Sequence, residues 1–115
     1  MFLFPNHQRN FENLLERDRT HPSDIERRAM FYIFAGNDEI MGRIDDVYEF
    51  GEGMIHLDTD NWIALVSSGA RALILLGYNL YNGYPCGTIM DVFRNLDELN
   101  CELAINGIRI RLGRE

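Results

Sequence analysis

Lysine is missing from this 115-residue chain, and all 11 basic residues are arginine. Against them stand 18 acidic residues, for a net charge of −7. That deficit argues against general nucleic-acid binding, which needs cationic surface to release counterions. Long apolar runs are missing as well. The best candidate, Ile63 to Leu76, is broken by Ser67, Ser68 and Arg71, so nothing reaches membrane-spanning length. MFLF at the start is too short for a signal-peptide core and meets Pro5 at once. Cysteine is scarce. Cys86 and Cys101 make no CxxC pair, so a disulfide scaffold gives way to reduced core thiols in a cytoplasmic protein.

What the chain does contain is enough for a core. At 46% hydrophobic it reads as globular, and its length suits one domain, 1–115. Its acid is unevenly placed. Residues 1–30 and 67–115 each balance five arginines with five acids, while 31–66 carry eight acids and only Arg43.

The most apolar stretch organises the reading. Ala70, Leu73, Ile74, Gly77, Leu80 and Tyr81 recur at helical spacing, and Leu75, Leu76 and Tyr78 make the other side apolar too. A helix apolar nearly all round is buried. Ser67 or Ser68 caps its start; Asn82-Gly83 ends it and Pro85 forbids continuation. Gly77 lets a neighbour approach closely. Around this helix the expected elements are a first helix over 10–19 and a second opened by a Ser23-x-x-Glu26 capping box. The second helix would turn Ile25, Ala29, Tyr32 and Ile33 inward and leave Arg27 and Arg28 on the wet side. VYEF-GEG-MIHL reads as a hairpin with a three-residue turn at 51–53, and 58–61 as a turn or cap cluster. Thr88 and Asp97 cap two later helices. Residues 101–112 read either as a helix or as a hairpin with an Asn106-Gly107 turn. The expected fold is mainly α: a compact single-domain bundle of four to five helices around a buried helix at about 68–82, with a small β-hairpin near 47–56.

Three kinds of chemistry are weighed against bland alternatives. Asp45, Asp46, Glu49, Glu52, His56, Asp58 and Asp60 offer oxygen and imidazole donors, but DTDNW lacks the glycine and the distal glutamate of a calcium loop. A solvated acidic face explains them, and no metal ligand is assigned. Ser67, Ser68, Gly69 and Arg71 bring free N–H groups, hydroxyls and a cation to one helix start, where an anion would sit. Helix capping accounts for the serines equally. Ser67, Ser68, Cys86 and Cys101 are the available nucleophiles, without an elbow or base motif, so no catalytic residue is assigned. His7 falls near a frayed end, His21 beside Pro22 and His56 on an edge strand; each reads as structural. Trp62, Tyr78, Tyr81 and Tyr84 form an aromatic set suited to a protein interface or to covering a small core.

LLGYNLYNGY at 75–84, ERRAMFYIFAGN at 26–37, VYEF at 47–50, FRNLDELN at 93–100 and ELAINGIRIR at 102–111 together resemble a small uncharacterised bacterial family of Firmicutes type, a domain of unknown function. The resemblance covers most of 11–112. It departs before the central helix, where the family's Trp-x-Thr-Ser-Gly is replaced by a stretch ending Val66-Ser67-Ser68-Gly69. It implies a helix over 101–112, because relatives carry alanine in place of Gly107. It implies no activity. The leading expectation is a non-enzymatic binding or regulatory protein acting on an unknown protein partner or as a homo-oligomer, without cofactor, nucleic acid or membrane. Behind it come a small anionic-ligand domain using Ser67, Ser68, Gly69 and Arg71, then a metal-dependent enzyme using the acidic segment 38–60.

Overall fold

A computed structural model describes residues 1–56 and 62–115. Among these, seven helices and one hairpin follow in order: α1 (Pro5–Asp18), α2 (Ile25–Ala35), α3 (Asp38–Met41), α4 (Ile44–Val47), β1 (Tyr48–Glu49), β2 (Met54–Ile55), α5 (Ser68–Asn82), α6 (Ile89–Phe93) and α7 (Glu98–Arg111), with a 3-10 turn at Ile63–Leu65 before α5. The fold is mainly α, as expected. The expected cluster at 58–61 lies outside the described residues.

The helix starts follow from side-chain oxygens meeting orphan N–H groups. Ser67 caps α5 by accepting from the Ala70 N–H, Asp97 caps α7, and Thr88 with Asp91 forms a reciprocal box on α6. Gly83, with φ of 83°, closes α5 in the left-handed conformation.

Two starts differ from expectation. α1 begins five residues early, because Pro5 occupies the first helical position, where its missing N–H costs nothing. α2 is capped by Asp24, which accepts from the Arg27 N–H at 3.0 Å. Ser23 turns instead to the His21 ring, and Glu26 lies 3.8 Å from Arg111, so the Ser23–Glu26 box does not form.

α5 is buried along Ala70, Leu73, Ile74 and Tyr78, and α2 is enclosed still more completely. Every residue from Ala29 to Ala35 is without solvent exposure. α2 packs on α1, α5 and α7 at once, so it and α5 share the centre. The approach is close because glycines face its large residues. A methyl group on Gly77 would stand 2.7 Å from the Phe34 ring, and one on Gly107 would stand 2.6 Å from Ile33 Cδ1.

Residues 98–111 are helical, which removes the Asn106-Gly107 hairpin. The helix has two apolar sides with separate uses. Leu103, Ala104, Gly107 and Ile110 turn into the core, while Ile105 and Leu112 remain exposed. The β-hairpin pairs Tyr48 with Ile55 and Glu49 with Met54. Its loop is four residues, 50–53, rather than three, because Phe50 leaves the ladder and Gly53 takes a φ of 65°. Strands this short hold only by packing on other elements. Here the Tyr78 hydroxyl, from the middle of α5, donates to the Val47 carbonyl.

Candidate functional site

Ser67 is the N-cap of α5, with Ser68, Gly69 and Arg71 in its first turn, and an internal anion already occupies Ser67. The Glu39 carboxylate, from α3, accepts from the Ser67 N–H at 2.8 Å and from its hydroxyl at 2.7 Å. Those two hydrogen bonds, the hydroxyl's first, hold the Glu39 carboxyl below its usual range. Gly69 has a packing reason, since a methyl there would lie 3.1 Å from the Asn95 carbonyl. Ser68 and Arg71 line an open cleft of about 370 Å³ shared with Leu75, Cys86, Asp91 and Asn95. Asp91 is engaged by Thr88, whose backbone N–H and hydroxyl keep its carboxyl low.

The aromatic set divides. Tyr78 and Trp62 are core residues. Burial pushes the Tyr78 hydroxyl's pKa well above the usual value for tyrosine. Tyr81 and Tyr84 are half-buried on the surface, Tyr84 edge-on to Tyr78. Beside them runs an apolar cleft of about 350 Å³ between α5, α6 and α7, lined by Leu76, Leu80, Ile89, Val92, Phe93 and Ile108. Asn79 in its wall holds the Tyr84 carbonyl at 3.0 Å. Ile89, which lines the cleft, is 75% exposed, and its chain neighbour Met90 is 59% exposed. Ile105 and Leu112 lie one turn either side of Ile108 and are 45% and 66% exposed.

Arg27, expected on the wet side, is instead the centre of a polar network. It donates to the Tyr48 hydroxyl at 3.0 Å, the Gly53 carbonyl at 2.6 Å and the Tyr81 hydroxyl at 2.9 Å, and it pairs with Asp24 at 2.9 Å. Tyr48 passes its own proton toward Asp18 at 2.7 Å, and the Asp18 side chain is only 4% exposed. Burial works against the Arg27 charge, but the bonds to Tyr48 and Asp24 outweigh it and make the cation harder to deprotonate. The one local clue was the three-residue spacing of Asp24 and Arg27.

The remaining candidates are separated. Arg17 pairs with Asp45, Arg43 with Asp46, and His56 lies 3.8 Å from Glu49. Among the described residues no three His, Cys, Asp or Glu side chains converge on a metal-sized space. Asp58 and Asp60 lie outside those residues. Cys86 and Cys101 are half-buried and unpaired rather than core thiols, and burial raises the Cys86 thiol. No described helix is long and apolar enough to cross a membrane. His7 is not frayed; it is fully buried against Tyr32.

These features define a small helical domain with an apolar cleft and an internally satisfied polar network. Residues 1–115 match the profile of a family of unknown function, DUF6075, and the chain belongs to that family. No curated protein and no solved structure matches it.

Proposed function

We propose that the chain is a non-enzymatic binding domain that acts through protein–protein contacts on the face formed by α6 and α7, with a second copy of itself as partner. The observation that carries this reading is the exposure of Ile89 in the wall of one apolar cleft, with Met90, Ile105 and Leu112 exposed nearby in sequence on α6, on α7 and at its C-terminal end. Wet apolar side chains favour association, and half-buried tyrosines suit an interface. A two-fold dimer uses the same patch on both copies, so one apolar stripe would serve both. Tyr84 would border the contact through Asn79. The unpaired thiols of Cys86 and Cys101 support a reducing, cytoplasmic setting.

Light scattering over a wide concentration range tests it. The wild-type chain should rise toward twice its monomer mass, and Ile89→Glu with Leu112→Glu should stay monomeric with an unchanged melting curve. A wild-type chain that remains monomeric at the highest concentration overturns the second-copy reading.

A further inference from the structure

His7 sits in the first turn of α1, wholly out of solvent, with both ring nitrogens engaged by backbone. The Leu3 N–H donates to Nδ1 at 3.1 Å, so Nδ1 carries a lone pair and no proton. Nε2 lies 2.9 Å from the Tyr32 carbonyl, which only accepts, so the proton is on Nε2. The ring is therefore neutral, with its tautomer set from both sides.

Leu3 belongs to the extended segment Met1–Phe4, which folds back over α1 and α2. Phe2 packs on His7, Phe11 and Tyr32, with ring centres 5.2, 5.7 and 6.1 Å away. Phe4 stacks on His7 at 5.3 Å. The Tyr32 hydroxyl donates to the Met1 carbonyl. These attachments run through a small aromatic group centred on one titratable ring.

The geometry points to Met1–Phe4 acting as a detachable strap, latched by the unprotonated Nδ1 of His7 and released when that nitrogen takes up a proton. A proton on Nδ1 would face the Leu3 N–H across 3.1 Å, donor against donor, and the latch bond would be lost. No carboxylate among the described residues hydrogen-bonds or pairs with the ring to compensate. From the strap itself comes the Met1 amino group, which repels a second positive charge. From α2 come the Tyr32 carbonyl and phenol. From α7 come Asn106, which donates to that phenol at 3.1 Å, and Glu102, whose charge acts on the same phenol.

The direction with pH follows. Burial is the main reason the ring resists protonation, with the Met1 amino group adding to it and the Tyr32 carbonyl opposing. A released ring titrates near the ordinary value of about 6.5. The latch is thus complete above that pH and weakens as pH falls through it, because the released state binds the proton more readily. Release would bare the aromatic faces of Phe11 and Tyr32 while leaving the α2–α5 core closed.

Nuclear magnetic resonance of the whole chain tests this, titrated from about pH 8 to about pH 5. At the alkaline end His7 should show the Nε2–H tautomer. As it protonates, exchange of the Leu3 amide, corrected for its intrinsic pH dependence, should speed up by about tenfold, and the Phe2 and Phe4 rings should shift together. Amides of α2 and α5 should stay protected. A Leu3 amide that stays protected while His7 protonates overturns the proposal, and so does loss of α2 and α5 protection at the same pH. His7→Phe keeps an aromatic ring and removes the titration, so its strap should no longer respond to pH; a persisting response overturns the latch. If that variant does not fold, the wild-type titration decides alone.

Discussion

The Arg27 guanidinium and the Tyr48 phenol meet at 3.0 Å, joining α2 to the first strand of the hairpin. Through that contact the buried Asp18 carboxylate, at the end of α1, is tied to the same cation. Three segments distant in sequence are held by one side chain.

Replacing Arg27 by Met should therefore cost more than a surface arginine does. The variant leaves the Gly53 carbonyl without its Arg27 donor and the buried Asp18 carboxylate without its counter-charge, a loss of roughly 2–3 kcal/mol for bonds to a charged group that keeps some solvent access. The measurement is the urea midpoint at unchanged slope. Arg27→Lys should recover only part of the loss, since a point charge cannot serve Tyr48, Asp24 and Gly53 in one plane. Wild-type stability in Arg27→Met would mean that the network does not hold the hairpin.

Glu39 makes a pH-dependent contribution. Its carboxyl is held below the ordinary value by Ser67, so the native state prefers it ionised. The stabilisation is full above the unfolded value of about 4.3 and is lost as pH falls through the lower native value. Because Glu39 is exposed, the effect should stay under about 1 kcal/mol. Thermal melts of wild type and Glu39→Gln should converge in acid and separate at neutral pH. Glu39→Ala should also free the start of α5, so that phosphate raises its melting temperature more than that of wild type. An equal response in both would show that Glu39 does not guard that helix start.

Gly107 and Ile33 should behave as a coupled pair. Gly107→Ala places a methyl 2.6 Å from Ile33 Cδ1 and should cost roughly 1–3 kcal/mol by overpacking. Ile33→Ala removes both that carbon and Cγ1, which would stand equally close at 2.6 Å, and alone should cost about 2–5 kcal/mol. The double variant should lose less than the sum, which a denaturation cycle measures. Strict additivity would mean that α7 simply shifts to accept the methyl.

Much of the helical layout was legible beforehand. Ser67, Gly83, Thr88 and Asp97 act within one turn of their partners, so residue type and spacing suffice to place them. The cap of α2 was misplaced by one residue because Ser23 and Asp24 are both good caps and the local pattern does not rank them. The candidate site was less legible. Ser67 caps α5 as its local pattern implies, but the carboxylate that meets it comes from Glu39, 28 residues earlier.

Periodicity and capping were enough to establish a buried helix over 68–82, its two ends and a mainly helical chain. They act through backbone groups and neighbours three or four positions apart, which any stretch of sequence displays. Folding in three dimensions settled the rest: that Arg27 turns inward, that His7 is sealed by Leu3 and Tyr32, that 98–111 is a helix, and that Ile89 and Leu112 stay wet. Each of those depends on which faces meet. Arg27 and Tyr81 are 54 positions apart, and only the packing of α2 against α5 brings them to 2.9 Å.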